Sequence, residues 1–158
     1  LCKRKGCYAM RINTSTDYAV RMVLCLAKES GTVSSSKLAA AIGVSPRYLL
    51  QVSAKLRDVG LIVTTHGPNG GAYLSRRAEE ISLYDVIYAM EKQSMGKGTL
   101  EVRGIQSEFQ ILHAAYRHVD TVLRDLLKSI TIESLLTQDI ETWYLAPQLV
   151  RTTNGTSS

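Results

Sequence analysis

A short stretch of the sequence carries four long side chains that form hydrogen bonds: Arg47, Tyr48, Gln51 and Lys55. Arginine can donate two hydrogen bonds to one guanine, glutamine can pair with adenine, and lysine and tyrosine can reach phosphate groups. Their spacing places them on one side of a helix whose other side holds Leu49, Val52 and Leu56. An ordinary solvated face has the same composition, so the neighbouring elements must decide between the two interpretations.

The start of this helix adds similar chemistry. Ser45-Pro46 is typical of a helix N-terminus, with serine as the N-cap and proline at the first helical position. The serine hydroxyl and the amides of the first turn can bind a phosphate, because helix N-termini attract anions. Lys37, on the preceding helix, is also among the predicted DNA contacts.

A second polar cluster lies in the turn-forming segment His66-Gly67-Pro68-Asn69-Gly70-Gly71. Strand patterns at 61–65 and 72–75 flank it, so the region predicts a β-hairpin. Glycines allow a backbone to approach sugar and phosphate closely, and His66, Asn69 and Gly70 are predicted to contact DNA at a minor groove. A simple hairpin turn that needs positive φ angles explains the glycines as well, and both interpretations can hold together.

The pattern that precedes the hairpin is typical of a helix-turn-helix. Ala39 is small enough for two helices to cross there, and Gly43 permits a left-handed turn four residues later. The inward positions are apolar and are occupied by Leu38, Ile42, Val44, Leu49 and Val52. The alternative is a plain helical hairpin in another α domain, and the adjacent hairpin wing favours the helix-turn-helix.

The remaining periodicity predicts a mainly α fold with a small β-hairpin wing. Helices are expected over about 17–29, 34–42, 46–59 and 82–91. Ser15 or Thr16 is the expected cap of the first helix, and Ser34 or Ser35 that of the second. Apolar residues cover most of the circumference of the first helix, so we expect that helix to be largely buried.

A long helix is predicted over 106–129, followed by a short one at 131–136. Apolar residues recur along the long helix at alternating spacings of four and three. The predicted dimerisation residues are Phe109, Leu112, Tyr116, Val119, Leu123, Leu126 and Ile130, in line with Ile105. Such a heptad seam needs another helix to cover it. Packing on the same domain is one solution, and we favour the pairing of two subunits.

The predicted organisation is a winged helix-turn-helix with a long C-terminal dimerisation helix. We divide the chain into an N-terminal extension (1–9), a winged domain (10–92), a loop (93–104), the dimerisation helix with a short helix (105–138) and a partly disordered tail (139–158). The net charge is +5, and the basic excess lies in the first 92 residues. This charge fits a polyanionic partner without demonstrating one.

Several functional classes are excluded by what the sequence lacks. No apolar run approaches the roughly 20 residues of a membrane-spanning helix, and no secretory signal follows Lys3-Arg4-Lys5. We therefore expect a cytoplasmic protein. No nucleophile–base pair, metal-spaced cluster or nucleotide-binding loop is recognisable. We expect neither an enzyme nor a bound cofactor or metal.

The stretch 10–91 resembles the Rrf2 family of bacterial winged-helix regulators, which includes the IscR, NsrR and CymR types. The resemblance lies in residues 10–15, 17–21, 48–51, 55–62, 66–74 and 80–87. It implies a dimer that binds a pseudo-palindromic operator in double-stranded DNA. It also implies that Ser45, Arg47, Tyr48 and Gln51 contact the major groove, and that His66 occupies the tip of the wing in the minor groove.

The sequence departs from the family pattern in the reading residues. The family usually has arginine where this chain has His66, and neutral histidine lacks the permanent charge that a narrow minor groove attracts. The family often has glutamate where this chain has Leu50, so a side chain that can read cytosine is absent. The operator sequence therefore cannot be transferred from relatives.

A further departure concerns the sensor. Cluster-binding members of the family carry three cysteines in the loop before the long helix, and 92–111 has none here. His113 and His118 cannot replace three thiolates and are expected at the surface or the dimer interface. The resemblance is therefore to the cysteine-free, CymR-like branch, with a metabolic enzyme or a small molecule as the source of the signal.

We expect a repressor and keep two alternatives to it. One is a winged-helix module that binds proteins and no longer binds DNA. The other is a redox-responsive regulator that uses Cys25, although a thiol on a buried helix is more often inert.

Overall fold

A computed structural model describes residues 12–29, 31–67, 70–95 and 109–139. The elements are α1 (Thr14–Ala27), α2 (Ser35–Ile42), α3 (Pro46–Asp58), β1 (Ile62–Thr65), β2 (Gly71–Leu74), a 3-10 turn (Ala78–Glu80), α4 (Leu83–Met95), α5 (Gln110–Ser129) and α6 (Ile132–Thr137). The prediction of a mainly helical fold with a two-stranded antiparallel hairpin is confirmed. The predicted extension (1–9), the predicted loop from 96 onwards and nearly all of the predicted tail lie outside the described residues.

Helix α1 forms the centre of the core. Ala19, Met22 and Val23 are completely buried, because α1 packs against α2, α3, α4, α6 and β2. A helix that is apolar around most of its circumference can be surrounded in this way at little cost in desolvation. The prediction of a buried first helix is therefore confirmed.

The N-terminus of α1 differs from its prediction. Asn13, rather than Ser15 or Thr16, is the N-cap, and its Oδ1 accepts a hydrogen bond of 3.2 Å from the backbone N–H of Ser15. Asparagine caps as well as serine does, and Asn13 has the extended backbone of a cap. Thr16 is instead buried, and its hydroxyl donates to Glu91 Oε1 on α4 at 3.1 Å.

The hairpin is anchored to the rest of the fold by a third backbone segment. Val33 forms a bridge to Ala72 of β2, with two N–H···O bonds of 2.9 Å. A Cβ on the neighbouring Gly71 would collide with the backbone carbonyl of Val33, so only glycine fits there. The base of the wing is therefore held firmly on the core.

Helix α4 is longer than predicted, since it continues to Met95 rather than ending at Glu91. The C-terminal end of α5 is fixed beside it. The Leu83 N–H donates to Ile130 O at 2.7 Å, the Ile132 N–H donates to Ile81 O at 2.8 Å, and Leu127 is buried. None of the helices described here is both long and apolar enough to cross a membrane.

Candidate nucleic-acid interface

The turn between α2 and α3 has the geometry of a helix-turn-helix. Gly43 ends α2 in the left-handed conformation, with φ 73° and ψ 37°. The N–H groups of Gly43 and Val44 both donate to Ala39 O at 3.0 Å, and Ala39 is buried where the helices meet. Both the crossing residue and the turn glycine are thus confirmed, because glycine adopts this conformation without the steric cost of a side chain.

Ser45 is the N-cap of α3, as predicted. Its Oγ accepts a 3.3 Å hydrogen bond from the Tyr48 N–H, and Pro46 occupies the first helical turn. Ser45 is exposed, so its hydroxyl can donate a hydrogen bond to solvent or to a phosphate while it accepts the one from Tyr48. The N-terminal end of α3 therefore presents both a hydroxyl and a positive helix end to the same region.

Helix α3 has one buried face and one exposed face. Leu49, Val52 and Leu56 are at most 1% exposed, and the hydroxyl of Ser53 donates to Leu49 O at 2.8 Å. The exposed residues on this helix are Pro46, Arg47, Leu50, Gln51, Arg57 and Asp58. We call the surface formed by Arg47, Leu50 and Gln51 the α3 ridge. Arg47 and Gln51, both predicted contacts, lie on this ridge.

Tyr48 and Lys55 were predicted to share that exposed face, but the structure places both at its flank. The Tyr48 ring is half-buried and meets the Tyr18 ring edge-on, with the ring centroids 5.7 Å apart. Lys55 is half-buried, and its Nζ donates to Met90 O on α4 at 3.3 Å. On a helix these positions lie about 80–100° from Arg47, and there α1 and α4 offer partners that spacing along one helix does not reveal.

Lys37 lies in the first turn of α2, the first helix of the helix-turn-helix, and forms an exposed ion pair. Its Nζ is 2.6 Å from Glu29 Oε1, and more than two-fifths of each side chain is exposed. Exposed ion pairs contribute at most about 1 kcal/mol, so Lys37 can exchange this carboxylate for a phosphate at little cost.

The wing begins at His66, which is exposed directly after β1. Gly67 has a φ of 108°, and its carbonyl accepts a 2.9 Å hydrogen bond from the Gly70 N–H. A Cβ on Gly70 would lie 2.6 Å from the carbonyl oxygen of Thr65. The internal geometry of the hairpin therefore accounts for these glycines. Asn69 lies outside the described residues.

Leu50 is the residue of the α3 ridge that sequence reasoning did not assign to the site. It is 63% exposed, whereas the two other leucines of α3 are buried. Its position along the helix was the available signal. Arg47 lies three residues before it and Gln51 one residue after it, and both were already assigned to the exposed face.

The apolar seam of α5 is also exposed. Six of the seven predicted dimerisation residues, all except Ile130, are between 38% and 63% exposed: Phe109, Leu112, Tyr116, Val119, Leu123 and Leu126. Ile130 does not continue the seam. It is the C-cap with an extended backbone (φ −90°, ψ 106°), and it is half-buried against its own domain.

The groups that could bind a metal ion are dispersed over the described residues. No three His, Cys, Asp or Glu side chains of the described ranges lie close enough together to hold a metal ion. The rings of His113 and Tyr116 meet edge-on, with their centroids 6.5 Å apart, and His118 is exposed on the same helix. Cys25 is half-buried and packs against the core.

A family model matches most of this architecture. The Rrf2 model, described as an iron-dependent transcriptional regulator, matches residues 12–138. The match therefore includes the helix-turn-helix, the wing, α5 and α6.

Known relatives agree with that match. The transcriptional regulator IscR of Photorhabdus laumondii is 32% identical over 130 residues, which cover 80% of this chain and 79% of the relative. The solved structure of T. potens IscR aligns with a TM-score of 0.64 at 27% identity, over 83% of this chain and 89% of that one. Staphylococcus aureus CymR in its oxidized form aligns with a TM-score of 0.63 at 30% identity, over 82% and 98%. The relatives named here are regulators of transcription rather than enzymes.

Proposed function

Because this chain belongs to the Rrf2 family of transcriptional regulators, we propose that two copies of it bind one pseudo-palindromic operator in double-stranded DNA and repress transcription. The observation that carries the proposal is the α3 ridge. Arg47 and Gln51 are exposed side by side, directly after a left-handed turn that fixes α3 on the core. In a helix-turn-helix, the N-terminal residues of the second helix contact base edges.

The two side chains of the α3 ridge that donate hydrogen bonds carry the base contacts in this proposal. Arg47 pairs with the O6 and N7 of a guanine, and Gln51 pairs with an adenine. Ser45, Lys37 and Tyr48 contact phosphates, which positions the helix but reads no sequence. Lys55 has a different role, because its hydrogen bond to Met90 O ties α3 to α4.

The wing supplies a second set of contacts in the adjacent minor groove. His66, Asn69 and Gly70 are assigned to this set, and the exposure of His66 at the end of β1 supports it. Neutral histidine lacks a fixed positive charge, so the wing of this chain contributes less electrostatic attraction than an arginine would.

The α5 seam carries the dimer in this proposal. A row of large apolar side chains exposed along a 20-residue helix is costly in water, and a second copy of the same helix would bury it. A two-fold axis through this contact presents two copies of α3 to the same face of the duplex. Such pairs reach successive major grooves when they are separated by about 34 Å, one helical turn of DNA.

We further infer that this member of the family does not hold an iron–sulfur cluster. Thiolates are the usual ligands of such clusters, and the segment 92–111 contains no cysteine. The donor set of the described ranges does not fit a metal either. The regulatory signal then comes from a partner protein or a small molecule that shifts the dimer between DNA-binding states.

A mobility-shift titration tests the proposal. Duplexes enriched by the chain from a random library are titrated at several salt concentrations. We expect retardation whose affinity falls steeply with salt, because each phosphate contact releases counterions. A winged-helix module that binds only proteins would enrich no duplex and retard none. Sedimentation of the same sample should give a dimer.

A further inference from the structure

The α3 ridge contains one residue whose exposure the hydrogen-bonding assignments do not explain. Leu50 is 63% exposed and lies between Arg47 and Gln51 along the helix. A single exposed leucine is common on protein surfaces, so exposure alone carries no argument. Its position does, because the residues beside it are those assigned to base edges.

Helix geometry places Leu50 beside Arg47 on the exposed face of α3. Residues three apart on a helix have Cβ atoms about 5–6 Å apart, and successive base pairs are stacked about 3.4 Å apart. When Arg47 reaches one base, Leu50 therefore faces a base pair one or two steps away. Ala54, one turn further along, is half-buried and small, so that position adds no large side chain beside Leu50.

The major groove offers one apolar group to such a side chain. Thymine carries a C5-methyl group there beside its O4 acceptor, while the other three bases present hydrogen-bonding atoms that leucine cannot satisfy and no methyl group. A leucine placed against adenine, guanine or cytosine would remove those atoms from water without a partner, which is unfavourable.

We propose that Leu50 is a specificity-determining residue of the α3 ridge and reads the methyl group of a thymine, in each half-site, one or two base pairs from the base that Arg47 reads. The proposal rests on the proposed function of DNA binding. It assigns to this chain a class of operator: one with a thymine at a fixed, symmetric position that tolerates no other base well.

The test replaces thymine by uracil, which differs only in lacking the methyl group. Each thymine of the duplex enriched from the random library is replaced in turn by deoxyuridine, and affinities for the full chain are measured. At one position per half-site we expect affinity to fall about fourfold, the factor that corresponds to one buried methyl group. Replacement in both half-sites should multiply the two factors.

Two variants assign that effect to Leu50. Leu50→Ala should bind the thymine and uracil duplexes equally, because the contact with the methyl group is lost. Leu50→Met keeps an apolar side chain of similar volume and should retain the preference for thymine. Both substitutions are at an exposed position, so thermal unfolding and the dimer should be unchanged.

The outcomes separate the two proposals. If the chain enriches a defined duplex but uracil weakens binding at no position, or if Leu50→Ala still prefers thymine at that position, the role of Leu50 is wrong and DNA binding stands. If the chain enriches no duplex, the proposed function fails and the role of Leu50 fails with it.

Discussion

The exposed faces of α3 and α5 differ in chemistry: the first is mainly polar and the second is apolar. The α3 ridge is built mainly from groups that are satisfied by water, such as the guanidinium of Arg47 and the amide of Gln51. The α5 seam consists of leucine, valine and aromatic side chains that are between 38% and 63% exposed. Water is a good partner for the first face and a poor one for the second.

The two faces therefore indicate a partner for different physical reasons. The α5 seam indicates a partner because exposing an apolar row of this length to water is unfavourable. This holds whatever the function of the protein. The α3 ridge points to DNA through position, because the turn at Gly43 and the wing place it where a helix can enter a groove.

The largest effect is expected from a charge on the α5 seam. Val119→Glu places a carboxylate in the centre of the contact on both copies, and burying an unpaired charge there should weaken dimerisation at least about 100-fold. Sedimentation measures the dimer, and circular dichroism should show a folded monomer, because Val119 is 63% exposed in one copy. Operator binding should fall with the dimer, since one half-site contact is lost.

Ala114→Glu is the matched control for that substitution. Ala114 is exposed on α5 about 160° around the helix from the centre of the seam. The same charge at this position should leave the dimer intact. If Val119→Glu sediments as a dimer, or if both variants dissociate equally, the assignment of the seam is wrong.

The second effect is on the α3 ridge. Arg47→Ala and Gln51→Ala should each weaken specific binding by about 1–3 kcal/mol, because each removes a two-pronged contact with a base. The dimer and the melting temperature should not change, since both side chains are exposed. Arg124→Ala, which removes only a surface pair with Asp120 on α5, is the control. Specific affinity equal to that of the unaltered chain would rule out the groove assignment.

A gain of affinity is expected at the wing. His66→Arg adds a permanent positive charge where the proposed wing enters the minor groove. Affinity should rise several-fold at low salt, and the slope of log affinity against log salt should steepen by about one per subunit. Titrations at four salt concentrations measure both. An unchanged slope would place His66 away from the phosphates.

The smallest effect on DNA binding is expected at Lys55. Lys55→Ala removes the hydrogen bond to Met90 O, so the free energy of unfolding should fall by about 1 kcal/mol. Because the Nζ is directed at α4, the salt slope of operator binding should not change. A slope reduced by about one per subunit would instead mean that Lys55 leaves α4 to contact a phosphate.

Much of the fold was predictable because the signals were local. Helix caps such as Ser34 and Ser45, and the left-handed Gly43, are determined by a few neighbouring residues. The helical spacing of the apolar residues on α3 correctly predicted that Leu49, Val52 and Leu56 are buried. Local rules also left room for error at the start of α1, where Asn13 and Ser15 are both good caps.

The site was less predictable, because its flanks depend on other elements. Periodicity placed Tyr48 and Lys55 near the outer face, but whether they point outwards is decided by Tyr18 on α1 and Met90 on α4. Similarly, the seam of α5 was extended to Ile130 by spacing alone. The helix ends at Ser129, so the helical spacing no longer applies there.

The central claim is that a dimer brings two copies of the α3 ridge to one operator. A hydroxyl-radical footprint on the enriched duplex tests it most directly, since it records which sugars of each strand are covered. We predict two protected patches related by a two-fold axis and centred about one helical turn, or a whole number of turns, apart. Protection of a single patch by a dimer, or uniform protection that does not depend on sequence, would contradict the claim.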